Sequence, residues 1–475
     1  MQYTGGNILK DNLMKTRNMT LTIMCAIALM ACNKENPRVP SEGTFSATLE
    51  TPVVVKTQLG TDGKSVVWRA NDEINIFAGE KNEKYTTASS GTTTATFTGN
   101  PVSADAYYAL YPYDATAQLQ DGKIIATLPA AQTANKNNLG NKMNVAVACS
   151  NTSALSFKNV GGLIQFEIKT KNVGEVVIKG NNNEYIAGKV SIDWNGGNPK
   201  YTVVEGKQEI SLKPYGNKVF EMGKYHFVVL PQTFEKGITI TMKPYSWATD
   251  AVVLKSNAPA DLVKSGDSPL ELTRSHIKPV GAVDEGLLWE YSGVTVNGIM
   301  GSVNTSGIYI DFNTGRTFSG IGASTYCGEI DLIFINNSGS FGMSSPSVST
   351  ATALCTNANL SKFGTPSEAD LISKWNPRLI TKFIWLSEMT DEQYEALKVT
   401  DDTKALYPSN PLDKYFSWTA TDAVFATSDR IAEGTNKFLA FKTFTAAEDN
   451  CYGVLRFTSI DKNTGTATFD YKIGR

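Results

Sequence analysis

Few residues of this 475-residue chain are of the types that usually do acid–base or metal chemistry. Only two histidines occur, His226 inside an apolar stretch and His276 close to Arg274. Catalytic metal sites and general bases so often use histidine that this scarcity argues against both. We expect His226 to be a buried strand residue and His276 to be solvated.

Carboxylates offer a second kind of chemistry. Asp311, Glu329 and Asp331 fall on or beside predicted strands, and two of them could act as acid and base in glycoside hydrolysis. Any β protein supplies such pairs, so an enzyme is only the third alternative. The cluster at 401–403 (DDT) is the nearest approach to a calcium site, but without EF-hand spacing a surface loop is the simpler interpretation. The sequence therefore predicts no catalytic residue, no metal and no cofactor.

One cysteine has the surroundings of a lipidation site. Residues 29–32 (LMAC) end a mostly apolar run that follows a basic segment and is too short to span a membrane. A small residue before a cysteine in this place is typical of a lipobox, in which the cysteine is acylated and becomes the new N-terminus. The alternative is an ordinary signal peptide with an incidental cysteine. We predict a signal peptide over 1–31, with 1–13 upstream of a true start at Met14, and lipidation of Cys32.

The residues after Cys32 predict where the chain goes. Lys34-Glu35 is similar to the tag that sends lipoproteins of Bacteroidetes to the outer face of the outer membrane. Two or three acyl chains suffice for stable anchoring, so we expect a palmitate-type lipid anchor there. Besides Cys32, the mature chain keeps four cysteines without a C-x-x-C pair, which argues against zinc and leaves a disulfide open. They are Cys149, Cys327, Cys355 and Cys451.

Composition limits the remaining possibilities. Lys plus Arg is 44 and Asp plus Glu is 46, and a net charge of −2 argues against nucleic acid as a partner. The length predicts two to four domains. Short alternating runs such as 45–50 (FSATLE) and 238–242 (ITITM), separated by turn residues, predict half-buried strands. The fold class is therefore mainly β.

Five segments occur in a recognisable order along the chain: 45–97 with its Trp68 and Asn71-Asp72, 107–112 (YYALYP), 128–133 (LPAAQT), 155–164 (LSFKNVGGLI) and 225–240 with YHFVVLPQ. Together they resemble the fimbrillin-like proteins of Bacteroidetes. One departure is Asn71, which stands where glycine is expected, although asparagine also tolerates a left-handed turn.

The resemblance implies two tandem transthyretin-like β-sandwiches, over 42–152 and 153–278. It also implies a subunit of type V pili or a related surface lipoprotein. In that family a trypsin-like protease cuts an early loop and releases the first strand, and a neighbouring subunit's strand fills the groove. Here the processing candidates are Lys56, Lys64 and Arg69.

The last third carries no motif of that family. We predict a third, mainly β domain over 284–475, with short helices after Thr365 and Thr390, where capping residues precede apolar positions. A terminal hairpin is predicted with its turn at 461–465. Three tryptophans with interleaved tyrosines are either core residues or a sugar-stacking platform: Trp375, Trp385 and Trp418.

These observations predict a non-enzymatic, surface-exposed lipoprotein that acts as a tip-like or accessory fimbrial subunit. Its expected partners are other pilus subunits, bound by strand addition, the outer membrane through the lipid, and a host protein or glycan. The tip-like position follows from the terminal hairpin, whose aromatic residues look committed to the third domain. The alternative is a stand-alone glycan-binding surface lipoprotein.

Overall fold

The computed structural model describes residues 43–50, 67–140, 142–195, 197–250, 253–297, 309–318, 326–337, 340–346, 379–406, 437–444, 451–461 and 466–475. Several predicted features lie outside the described residues, and they stay predictions. They are Cys32, Lys56, Lys64, Cys355, Trp375, Trp418 and the helix expected after Thr365.

The first part of the chain forms short strands, and those at Thr44–Thr48 and Thr94–Gly99 alternate buried and exposed residues as the sequence pattern predicts. These strands are Thr44–Thr48 (β1), Glu73–Ala78 (β2), Lys81–Thr86 (β3), Thr94–Gly99 (β4), Tyr107–Tyr111 (β5), Gln118–Gln120 (β6), Lys123–Leu128 (β7), Ala131–Ala134 (β8), Ala146–Ser150 (β9), Ala154–Ser156 (β10) and Lys158–Asn159 (β11). Eight of them make one sheet in the order β10-β1-β4-β3-β2-β5-β9-β11. The first strand is therefore an interior strand of its sheet.

The middle of the chain also consists of β-strands. Its strands are Gly162–Ile168 (β12), Val173–Gly180 (β13), Ala187–Asn195 (β14), Asn198–Lys207 (β15), Glu209–Pro214 (β16), Gly223–Val229 (β17), Thr233–Phe234 (β18), Ile238–Pro244 (β19), Val253–Ser256 (β20), Leu262–Ser265 (β21), Leu270–Glu271 (β22) and Ile277–Ala282 (β23). The sheets run β17-β12-β23, β21-β19-β13-β16-β8, β15-β14-β7-β6 and β18-β22.

Several strand pairings cross the domain limits expected from the resemblance. Strands β6, β7 and β8 belong in sequence to the first part, yet β7 pairs with β14 and β8 pairs with β16. Strand β20 likewise pairs with a strand that begins at Arg316. Strands from both sides of each limit therefore belong to the same sheet. The domain limits 42–152, 153–278 and 284–475 stay a proposal.

The last part is mainly β with two short helices. Its elements are Trp289–Asn297 (β24), Tyr309–Asp311 (β25), Arg316–Phe318 (β26), a 3₁₀ turn at Cys327–Glu329, Leu332–Asn337 (β27), Ser340–Ser344 (β28), Ile380–Trp385 (β29), Asp391–Ala396 (α1), Thr400–Ala405 (α2), Phe438–Phe444 (β30), Cys451–Asp461 (β31) and Thr466–Gly474 (β32). The sheets run β20-β26-β25-β27-β28 and β24-β32-β31-β30-β29. The predicted mainly β class and the terminal hairpin are confirmed.

Helix α1 begins where its capping residues predict. Thr390 Oγ1 accepts a bond from the Gln393 N–H, and Gln393 Oε1 accepts one from the Thr390 N–H. The predicted loop at 401–403 is wrong, because these residues lie in α2, where Asp402 accepts bonds from two preceding backbone N–H groups. Across the described stretches, neither of these six-residue helices, nor any other, is long and apolar enough to cross a membrane.

Candidate strand-exchange groove

Strand β1 lies between two neighbours and fills a groove in the first sheet. It pairs antiparallel with β4 and parallel with β10. The Ser46 N–H donates to Ser153 at 2.9 Å, the Leu49 N–H to Thr93 at 2.9 Å, and the Phe157 N–H to Thr48 at 2.8 Å. Without β1, both neighbouring strands would carry a row of unpaired backbone groups, which is the condition that favours addition of another strand.

The inward side chains of β1 belong to the core of the first sheet. Phe45 and Ala47 are completely buried and Leu49 is 6% exposed, whereas Ser46 and Thr48 between them face solvent. The Phe45 ring packs edge-on against two tyrosines, with centroids 5.2 and 5.0 Å away. Burial of such side chains contributes about 1.5–3 kcal/mol each, so β1 is held firmly although it is short.

Trp68 joins the strand to the core behind it. Its indole Nε1 donates to the Ala47 carbonyl at 3.0 Å, and its ring packs edge-on against Phe97. Arg69 follows directly, and its N–H donates to Asp72 at 2.8 Å. Asn71 adopts a left-handed φ of 67°, a backbone conformation that glycine adopts most readily and asparagine tolerates. Arg69 thus lies in a structured turn, while Lys56 and Lys64 lie in the undescribed stretch between β1 and Trp68.

Glycine is required where β1 begins. Gly43 has a φ of 60°, and a Cβ atom added there would lie 2.2 Å from the carbonyl oxygen of Gly99. The Gly99 N–H in turn donates to the Gly43 carbonyl at 3.0 Å. A larger residue would therefore push the start of β1 away from β4.

An ion pair holds Glu50, which lies two residues after the end of β1. Glu50 accepts two bonds from Arg274, at 2.5 and 3.1 Å, and one from the Asn159 N–H at 2.9 Å, and the Lys158 Nζ lies 3.4 Å away. Burial alone would raise the pKa of Glu50, but the bonds from Arg274 and Asn159 hold it below its usual 4.5. This contribution to stability is present above pH 4.5 and is lost as the pH falls through the lowered pKa.

The C-terminal strand is built into its sheet and into the aromatic core, which makes it unsuited to exchange. Strand β32 lies between β24 and β31. Tyr471 stacks on Tyr291 with centroids 4.5 Å apart, and its hydroxyl donates to the Phe312 carbonyl at 2.7 Å. The buried Lys472 donates to the Leu397 carbonyl at 3.0 Å, at the end of α1. Removing β32 would break an interior position of the sheet and an aromatic core together.

Two of the three carboxylates predicted as acid–base candidates, Asp311 and Glu329, lie against a buried arginine. Arg316 Nη2 lies 3.2 Å from Asp311 and also bonds Glu329, and its guanidinium lies 4.2 Å from the centre of the Trp247 ring. Arg316 and Asp311 are 1% and 2% exposed at their side chains. The arrangement neutralises charge inside the fold, which is a structural role.

Asp331 completes this cluster from the neighbouring strand and has no exposed surface. It accepts a bond from the Phe312 N–H and one from the Thr443 hydroxyl, both at 2.7 Å. Burial, and then the nearby Asp311, raises the pKa of Asp331. A substrate would have no access to this carboxylate, so the geometry gives no support to the glycosidase alternative.

The histidines lie where the sequence predicts. His226 is 5% exposed within β17, and its Nε2 lies 2.8 Å from Gln165 Nε2, which donates to it. Burial lowers the pKa of His226 to about 4, so the ring is neutral at physiological pH. His276 is exposed and bonds the Arg274 carbonyl through Nδ1 at 2.8 Å. In the stretches the structure describes, no three histidine, cysteine or acidic side chains are grouped to hold a metal, and Cys149 and Cys451 are free thiols.

Trp385 is the one candidate aromatic that falls within the described residues. It lines a cavity of about 430 Å³ between the end of β29 and the two helices. Its Nε1 is buried and has no partner among the described residues. The cavity is mostly apolar, and its lining also includes a carboxylate and an amide; the lining residues include Leu386, Glu388, Met389, Gln393 and Leu397.

Comparison with known proteins gives structural similarities at low identity. No protein-family model and no curated protein sequence matches the chain. A candidate cell-adhesion protein from Bacteroides ovatus has a TM-score of 0.30 and 13% identity, covering 51% of this chain and 92% of its own. A fimbrial protein from the same species has a TM-score of 0.24 and 12% identity, covering 91% of this chain and 100% of its own.

A tip fimbrial protein from Porphyromonas gingivalis, with a C-terminal truncation, has a TM-score of 0.22 and 7% identity, covering 50% of this chain and 94% of its own. With TM-scores of 0.30 and below, we draw nothing about function from these similarities. The groove around β1 and the fixed position of β32 are features of this chain itself.

Proposed function

We propose that this chain is a non-enzymatic surface lipoprotein that acts as a tip-like or accessory fimbrial subunit and binds other pilus subunits by strand exchange. The observation that carries the proposal is the position of β1, an interior strand that supplies Phe45, Ala47 and Leu49 to the core. The stretch that follows it contains Lys56 and Lys64, the predicted sites of a trypsin-like cut. A cut there would leave β1 held only by non-covalent contacts.

The place in the fibre follows from the contrast between the two ends of the chain. The groove of β1 could accept a strand, whereas β32 is paired on both sides and shares the aromatic core of the last part. A subunit that accepts a strand without donating one fits the end of a fibre. We place the protein on the cell surface, lipid-anchored to the outer membrane through Cys32 before processing and in the pilus after it.

A second candidate function rests on the cavity beside Trp385. A cavity of about 430 Å³ that is lined by the Trp385 indole, Glu388 and Gln393 has the mixture of apolar surface and polar groups that suits a saccharide or a short peptide. A host glycan or protein bound there would make the last part an adhesive module. This role is compatible with a fibre end and also with a stand-alone glycan-binding lipoprotein.

N-terminal sequencing of the protein from intact cells tests the processing step. Sheared surface protein should begin after Lys56, Lys64 or Arg69, while the membrane fraction should contain precursor with acylated Cys32. Lys56 and Lys64 are the favoured positions, since the turn at Arg69 is held by Asp72. Sheared protein that starts at an intact Cys32 would contradict the proposed maturation, and a Cys32→Ala variant that still incorporates labelled fatty acid would contradict the lipid anchor.

A further inference from the structure

We propose that the groove of β1 selects its incoming strand by a carboxylate, and that Arg274 is the residue that recognises it. The strand that fits has an aromatic, a small and an aliphatic residue at alternating inward positions, and an acidic residue directly after the last of them. This inference rests on the proposed strand exchange and adds to it the chemistry of the partner.

The inward pattern comes from the pockets that β1 fills. Phe45 occupies a site whose walls are the edges of Tyr85 and Tyr107, which suits an aromatic ring. Ala47 lies opposite the buried Ala95 of β4 and directly beside the Trp68 indole that bonds its carbonyl, so the space for a larger side chain is small. Leu49 fills the third position at 6% exposure.

The carboxylate site is built from residues that stay behind when β1 leaves. The donors to Glu50 are the Arg274 guanidinium, the Asn159 N–H and the Lys158 ammonium. None of these belongs to β1, and Arg274 lies more than two hundred residues further along the chain. An empty groove would therefore present two positive charges and a buried N–H where a carboxylate had been.

Arg274 is also positioned independently of β1. Its Nη1 donates to the Asn159 carbonyl at 2.8 Å and its Nη2 to Asn198 Oδ1 at 3.0 Å. The Asn159 amide in turn donates to Ser275 Oγ at 2.8 Å. The guanidinium fork thus keeps its direction in the empty groove, and a two-pronged bond of this kind distinguishes a carboxylate from an amide of the same shape.

The same contact fixes the register of the incoming strand. A slip of one residue would turn the inward side chains to solvent. A slip of two residues would keep the alternation but would carry the acidic residue away from Arg274. The Arg274 side chain is only 18% exposed, so water would solvate its unpaired charge incompletely. The arginine therefore discriminates between registers that the apolar pockets alone tolerate.

Displacement of the resident strand measures this selectivity. The mature protein is cut by a trypsin-like protease and incubated with labelled, C-terminally amidated peptides of sequence GTFSATLE, either unchanged or with the Glu50→Gln substitution. The unchanged peptide should bind the wild-type groove about tenfold or more tightly than the Gln peptide, because bonds to charged groups are the strong ones. Since this change is in the peptide, a folding defect cannot produce the difference.

An Arg274→Met variant should lose most of the preference for the unchanged peptide and keep only the part that the Lys158 ammonium supports, and Arg274→Lys should discriminate between the two peptides only weakly. The matched control is Lys136→Met, which removes a 2.9 Å ion pair with Glu221 that includes no residue of the groove and should keep the full selectivity. The same preference in Arg274→Met as in the wild type would overturn the role of Arg274. Failure of both peptides to bind the cut wild-type protein would instead refute strand exchange, and this inference with it.

Discussion

Replacing Arg316 with methionine should lower the free energy of unfolding by about 3–5 kcal/mol. Arg316 is the counter-charge of Asp311, and both side chains are almost fully buried. Methionine has a similar length but no charge, so Asp311 would remain buried without its partner, close to the fully buried Asp331. Urea unfolding followed by tryptophan fluorescence measures the loss.

The matched control for this variant is Lys404→Met. Lys404 lies 3.6 Å from Asp401, and the two side chains are 44% and 88% exposed. Removing such a surface pair should change the free energy of unfolding by less than about 1 kcal/mol. Equal, small losses in both variants would mean that the cluster around Arg316 does not stabilise the fold.

Replacing Tyr471 with alanine should lower the free energy of unfolding by about 3–5 kcal/mol, because it removes a fully buried ring from an interior strand of the last sheet. The variant loses the stack on Tyr291 and the bond to the Phe312 carbonyl, and it leaves a cavity beside them. Thermal or urea unfolding measures the effect. The result bears directly on function, since a strand anchored so strongly is unsuited to donation.

Tyr215→Ala is the control for that variant, as Tyr215 is 69% exposed. It should change the free energy of unfolding by no more than about 0.5 kcal/mol. If Tyr471→Ala lowered the free energy of unfolding as little as Tyr215→Ala, then β32 would be held loosely and would be free to be donated to another subunit.

Local chemistry made parts of this fold predictable from the sequence. The alternation over 45–50 predicted both the strand and the side chains that face the core. The Thr390 and Gln393 pair predicted the start of α1, and the glycine-like turn at Asn71 was expected from its residue type. In each case the cause lies within a few residues of the effect.

The features that local patterns could not predict depend on distant partners. No local pattern singled out Arg274, yet it bonds Glu50, 224 positions away. Nothing near either residue signals the other. The pairing of β7 with β14 crosses an expected domain limit in the same way. Asp311 and Asp331 were recognisable as a pair, but only the fold places Arg316 against Asp311 and so gives the cluster a structural role.

The central claim is that this subunit accepts a strand at the groove of β1 and donates none from its C-terminus. Native mass spectrometry of the purified mature protein, cut between β1 and Trp68, tests it most directly. We predict monomers that retain one strand, exchange it one-for-one with an added GTFSATLE peptide, and form no multimers by themselves. A ladder of multimers from the cut protein alone would contradict the account.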